Sequence, residues 1–215
     1  MEELDVASWN TSNVIDMKYL FADCYKITSL DLSNWNTGKV ENMSAMFLTS
    51  TPDNAGALTD LNISGINTSS VVYMNSMFGN CKGLTELDLS HFDTSSVQTM
   101  YAMFAGCENL RVLNTSGWDT SAVTNMAQMF QSCDGFTSLD LSHFDTSSVT
   151  TMSSMFIYAN NLQTVNLSSF DTTSVTDMRK MFYDCRSLKT VIVGDGWDTT
   201  NADITDINTG TLISD

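Results

Sequence analysis

The chain has 215 residues, 42% of them hydrophobic, with 25 acidic and 9 basic side chains and a formal net charge of −16. That field repels nucleic acid and anionic lipid and favours basic partners, cations or plain solubility. No run of about 18 apolar residues is present to cross a membrane, and the single proline, Pro52, leaves no Pro-rich linker.

The opening Met1-Glu2-Glu3-Leu4 is acidic and has no apolar stretch, so it is not a signal peptide. A repeat begins at Leu4 and the last one breaks off near Asp215, so the chain reads as a piece of a longer protein. Units start at Leu4, Leu30, Leu61, Leu87, Leu113, Leu139 and Val165, and a degenerate eighth spans 191–215. Six of the seven full units have 26 residues; the second is longer, with its surplus in 48–57. Self-similarity at such a period points to a single solenoid domain over 1–215.

The composition collapses onto this register. All 14 methionines except Met1 fall in two files: Met17, Met43, Met74, Met100, Met126, Met152 and Met178, and three residues later Met46, Met77, Met103, Met129, Met155 and Met181. Phe21, Phe47, Phe78, Phe104, Phe130, Phe156 and Phe182 form another. Trp9, Trp35, Trp118 and Trp197 share one position with Ile66, Phe92, Phe144 and Phe170, at a phase that marks them as core, not as an exposed sugar-stacking stripe.

Within unit four, Leu87 to Leu89 reads as a short strand of period two. Asp93-Thr94-Ser95-Ser96 is a polar turn able to start a helix. Val97, Met100, Met103, Phe104 and Cys107 follow at offsets 0, 3, 6, 7 and 10, which predicts one face of a helix of about three turns. The expected fold is an α/β solenoid of leucine-rich-repeat type, with short parallel strands on one face and short helices on the other. One unit cannot enclose its own apolar side chains, whereas stacked units can.

These units resemble the leucine-rich repeats of BspA-like bacterial surface proteins, in their 26-residue subtype. The matching stretches are FDTSSV at 92–97, the MxxMF pair of Met100, Met103 and Phe104, and FxxCxxL through Phe104, Cys107 and Leu110. The resemblance implies extracellular display at the cell surface and binding of a host or neighbouring-cell protein or glycan. It implies no catalytic residues.

The remaining files carry polar or reactive side chains. Cys24, Cys81, Cys107, Cys133 and Cys185 share one repeat position without any CxxC, which predicts buried thiols and neither a metal site nor disulfides. Asx residues recur at Asp5, Asp31, Asn62, Asp88, Asn114, Asp140 and Asn166, and again at Asn10, Asn36, Asn67, Asp93, Asp119, Asp145, Asp171 and Asp198. Calcium would suit such oxygen ladders, but its nonapeptide motif is absent; the expectation is no cofactor, with local turn bonds instead. A threonine file, Thr11, Thr37, Thr68, Thr94, Thr120, Thr146, Thr172 and Thr199, raises an ice-binding ladder against hydroxyls bonded to backbone. His91 and His143 are too few for a metal or a triad, and the insertion in 48–57 has no His, Cys or Glu, so no enzyme is expected.

The reading is therefore a ligand-binding or adhesion segment, with a passive spacer or stalk as the alternative. By analogy with other repeat proteins, the candidate contacts lie on the exposed strand face at Glu86, Asp88, Ser90, Asn114, Ser116, Asp140 and Ser142. The first unit has no layer before it, so end-to-end self-association through that edge is a further expected contact.

Overall fold

The computed structural model describes residues 2–50, 56–207 and 212–214. From the second unit on, the start of each LxL segment lies in a short strand, because its two apolar residues point to the same side and need cover. In chain order these are β1 (Glu2–Glu3), β2 (Ile27–Asp31), β3 (Asp60–Asn62), β4 (Glu86–Asp88), β5 (Val112–Asn114), β6 (Ser138–Asp140), β7 (Thr164–Leu167), β8 (Thr190–Val193) and β9 (Leu212–Ser214). All pairings are parallel, and apart from a register shift between β1 and β2 they are in phase: Leu30 lies opposite Leu61, Leu87 opposite Leu113, and Leu139 opposite Val165. The hydrogen-bonded sheet is interrupted between β3 and β4 and between β5 and β6. A second ladder, on another side of the coil, runs without a break through Asp16, Asn42, Tyr73, Thr99, Asn125, Thr151, Asp177 and Asp203.

In most layers three short polar side chains turn the corners by accepting a hydrogen bond from the amide two residues on. In the seventh unit Asn166 takes the amide of Ser168 (3.1 Å), Asp171 that of Thr173 (2.9 Å) and Asp177 that of Arg179 (3.1 Å). The same corners recur at Asp31, Asp88 and Asp140 and at Asp93, Asp119 and Asp145.

The helices expected on the second face are not formed: no helix occurs among the described residues, and the chain is a parallel β-solenoid. None, accordingly, is long and apolar enough to cross a membrane. The backbone shows why. An α-helix needs each amide to reach the carbonyl four residues back. Here the amides of Met100, Ala102, Phe104 and Gly106 donate to Asn125, Ala127, Met129 and Gln131 of the next layer, at 2.7–3.0 Å. The amides between them, on Met103, Ala105 and Cys107, close tight turns three residues back, at 3.0–3.1 Å. Left-handed residues fall two and six places after the first methionine: Ser76 and Asn80, Ala102 and Gly106, Gln128 and Ser132, Ser154 and Tyr158, Lys180 and Asp184. This coil of turns still aims offsets 0, 3, 6, 7 and 10 inward, as Val97, Met100, Met103, Phe104 and Cys107 are all fully buried.

The core is a set of side-chain files. Seven phenylalanines from Phe21 to Phe182 stack with ring centroids 5.4–5.8 Å apart and nearly parallel planes, the offset geometry that aromatic rings prefer. The tryptophan position is also interior, apart from Trp9 in the outermost layer, which is 46% exposed. The threonine file is buried and therefore offers no flat hydroxyl face to ice. Thr37, Thr68, Thr94, Thr120 and Thr146 each donate to the carbonyl of the Asx residue one layer on, at 2.7–2.9 Å. The hydroxyls thus bond backbone, as one of the two alternatives held, but across layers and not within their own turn. The surplus of unit two falls largely on 51–55, outside the described residues.

Candidate functional site

Five of the candidate contacts come together on the paired strands β4 and β5. Asp88 lies opposite Asn114, Glu86 opposite Val112, and Ser90 and Ser116 follow each strand. Asp140 ends β6 and Ser142 follows it, across the second interruption of the sheet. Most of these groups already have work inside the fold. Asp88 accepts the amide of Ser90 (3.0 Å), Asn114 that of Ser116 (3.2 Å) and Asp140 that of Ser142 (3.0 Å). Bonds from Ser90, first its hydroxyl and then its amide, hold the Asp88 carboxyl below the usual range, helped by His91 and by the amide of Asn114. Asp140 is lowered in the same way by Ser142, then by His143 and Asn166. Alternation of Asp with Asn along this file separates like charges one layer apart. Glu86 is the exposed acid of the row with no corner to hold.

The two histidines sit at the two interruptions. His91 Nε2 lies 3.0 Å from the carbonyl of Ile63, and His143 Nε2 lies 3.1 Å from the carbonyl of Thr115 and 3.0 Å from its hydroxyl. Where Nε2 carries the proton it donates to these carbonyls, which gives each ring a place inside the fold. Among the described residues no group of three His, Cys, Asp or Glu side chains could hold a metal ion.

Four of the five thiols are buried and each donates to a phenylalanine carbonyl of the preceding layer, at 2.9–3.2 Å. Burial pushes Cys107 and Cys185 up to about 12. Cys24, in the outermost layer, departs from the expected burial and is exposed.

A different feature lies on the turn face. Two adjoining hollows share Leu48, Ser76 and Tyr101 and cross the first five layers. Their floor is made by the outward positions between and after the paired methionines, which are small in units two to four: Ala45, Ser76, Gly79, Ala102 and Ala105. Tyr19 and Tyr101 stand exposed at 54% and 38%. The Tyr101 hydroxyl donates to Gln128 Oε1 at 2.6 Å, which fixes the ring. The strand-centred reading of the sequence passed over this face. Its signal was the residue pair after the first methionine of each unit, which changes from Lys18-Tyr19 to Ser44-Ala45, Asn75-Ser76 and Tyr101-Ala102 while the methionines stay fixed.

Comparison with known proteins gives one family and no curated relative, since no curated protein matches the chain. The family model described as "Mycoplasma protein of unknown function, DUF285" matches residues 2–60, 53–115 and 102–210. These matches take in nearly the whole stack, and the chain belongs to that DUF285 repeat family.

Proposed function

We propose that this chain is a non-catalytic ligand-binding or adhesion segment of a bacterial cell-surface protein, of the BspA-like kind that its repeats resemble. One observation carries the reading: inward positions are held almost constant from layer to layer while outward positions vary, so a rigid stack displays a changing surface. Stacked repeats commonly use such surfaces to bind extended partners. Immobilised host matrix proteins and mucins, probed with the purified chain, test it; the proposal requires saturable binding and fails if none is seen. Charge reversal at Glu86 and substitution of Ser116 then ask whether the strand row takes part.

Near-identity of units four and six, both LDLSHFDTSSV, favours a second reading, a passive spacer. Replacing the segment by an unrelated rod of equal length in the parent protein separates the two: undiminished adhesion supports the spacer. Contact between copies through the outermost layer, where Leu4 and Trp9 are exposed, belongs to the first reading and predicts concentration-dependent association in sedimentation.

A further inference from the structure

We infer that the trough on the turn face, between Tyr19 and Tyr101, is a binding site for an uncharged oligosaccharide; this rests on the ligand-binding reading above and gives it a place and a ligand class. Charge is the first argument. The chain carries 25 acidic residues, yet Glu108 is the one acid lining the two adjoining hollows, and Lys82 pairs with it at 2.7 Å. Lys18 is the one other charged group in that lining, so a surface otherwise set to repel anions and attract cations carries little net charge here, and a ligand without charge has least to lose by desolvation.

The lining chemistry is the second argument. Asn75, Asn125 and Gln128 all line the trough, and each spends its side-chain oxygen on the protein: on the Thr99 hydroxyl (2.6 Å), the Ala127 amide (2.9 Å) and the Tyr101 hydroxyl (2.6 Å). Their amide nitrogens donate to nothing among the described residues. They form a set of free donors from the third and fifth layers, whose oxygens are already anchored. Sugar hydroxyls supply acceptors for such a row, and the C–H face of a pyranose ring suits a phenol ring. Tyr101 is held by its hydroxyl bond, so little freedom remains to be lost on binding. A protein partner would ask for a desolvated apolar centre, whereas this floor is glycine, alanine and serine.

Length is the third. Tyr19 belongs to the first layer and Tyr101 to the fourth, roughly 14 Å apart at the usual strand spacing, which suits a chain of sugars better than a single one.

The test is titration calorimetry with neutral hexose and N-acetylhexosamine oligomers, beside a sulfated oligosaccharide of matched length. The wild-type chain is expected to bind a neutral oligomer and not the sulfated one. Tyr101→Ala should weaken binding roughly tenfold or more. Asn75→Asp combined with Asn125→Asp should abolish it, because each carboxylate keeps the internal acceptor and removes the outward donor. Glu86→Lys, on the strand face, should leave it unchanged. Circular dichroism of every variant checks that the fold persists. Neutral-glycan binding that survives both groove changes, or a preference for the sulfated oligomer, overturns the assignment. Adhesion to matrix protein without any glycan binding overturns the trough and leaves the ligand-binding reading standing; no binding of any kind overturns both.

Discussion

In several layers the carbonyl that ends the LxL triplet is met by a side-chain donor of the next layer. Trp35 Nε1 reaches Val6 at 3.1 Å and Trp118 Nε1 reaches Leu89 at 2.9 Å. At Phe92 and Phe144 the residue before is histidine, and imidazole replaces indole on Ile63 and Thr115, whereas Ser169, before Phe170, reaches the Leu141 carbonyl at 3.4 Å. Tryptophan and the His-Phe pair thus solve one hydrogen-bonding problem. His143→Ala should cost about 1 kcal/mol in chemical denaturation. His143→Gly combined with Phe144→Trp, which copies Gly117-Trp118, should recover most of that loss; a double variant no better than the single one would show that the donor is immaterial. The thiols follow the same logic of place. Iodoacetamide at about pH 8.5 should label Cys24 alone in the folded chain, and Cys81, Cys107, Cys133 and Cys185 only once it unfolds, read by intact mass.

The coil of turns spends backbone strain to pack its layers. Non-glycine residues in the left-handed region cost about 1 kcal/mol or more each, and the chain carries them at Tyr19, Gln128, Ser154 and Lys180 among others. Ser154 is at φ 57° and its hydroxyl holds no corner of the coil, so Ser154→Gly should raise stability by about 1 kcal/mol. Gly106, at φ 75°, is the glycine in the same pattern, and a Cβ there would run into Asn80 Oδ1, a side chain anchored to the Thr49 carbonyl at 2.7 Å. Gly106→Ala should therefore destabilise by roughly 1–3 kcal/mol. Melting curves of the two variants, moving in opposite directions, would establish the strain. These turns also explain what was and was not legible in the sequence. Repeat phase, strand positions, in-phase pairing and buried Met, Phe and Trp files all followed from spacing. The helix did not, because offsets 0, 3, 6, 7 and 10 describe the inward face of this coil as well as that of a helix. Glycine would have marked the left-handed positions, and Gly106 alone among them does so. The strand row, Asp88, Asn114 and Asp140, was legible as exposed, but its bonds to Ser90, Ser116 and Ser142 were not.

At the scale of the whole molecule, two electrostatic effects oppose each other. The net charge of −16 is spread along a stack whose layers lie about 5 Å apart, so like charges repel along its length. Against this, corner bonds hold the carboxyls of Asp31, Asp88, Asp119, Asp140, Asp171, Asp198 and Asp203 below their usual range, through the hydroxyl and amide two residues on. A carboxyl whose folded pKa lies below its unfolded value of about 3.9 contributes stability that is fully present above that value. The contribution is lost as pH falls through the folded pKa. At pH 7 every such bond is intact and repulsion is the adjustable quantity, so adding about 0.5 M NaCl should raise the melting temperature by screening it. Below about pH 4 repulsion fades as the carboxylates protonate, but the corners lose their ionised acceptors in the same range, and stability should fall. Replacing Asp88, Asp119 and Asp140 together with asparagine keeps an acceptor at each corner and removes three charges. That variant should melt lower than the wild type at pH 7, gain less from added salt, and lose less on acidification. A triple variant with an unchanged slope of melting temperature against pH between about 4 and 2 would mean that the corner carboxylates do not govern acid stability.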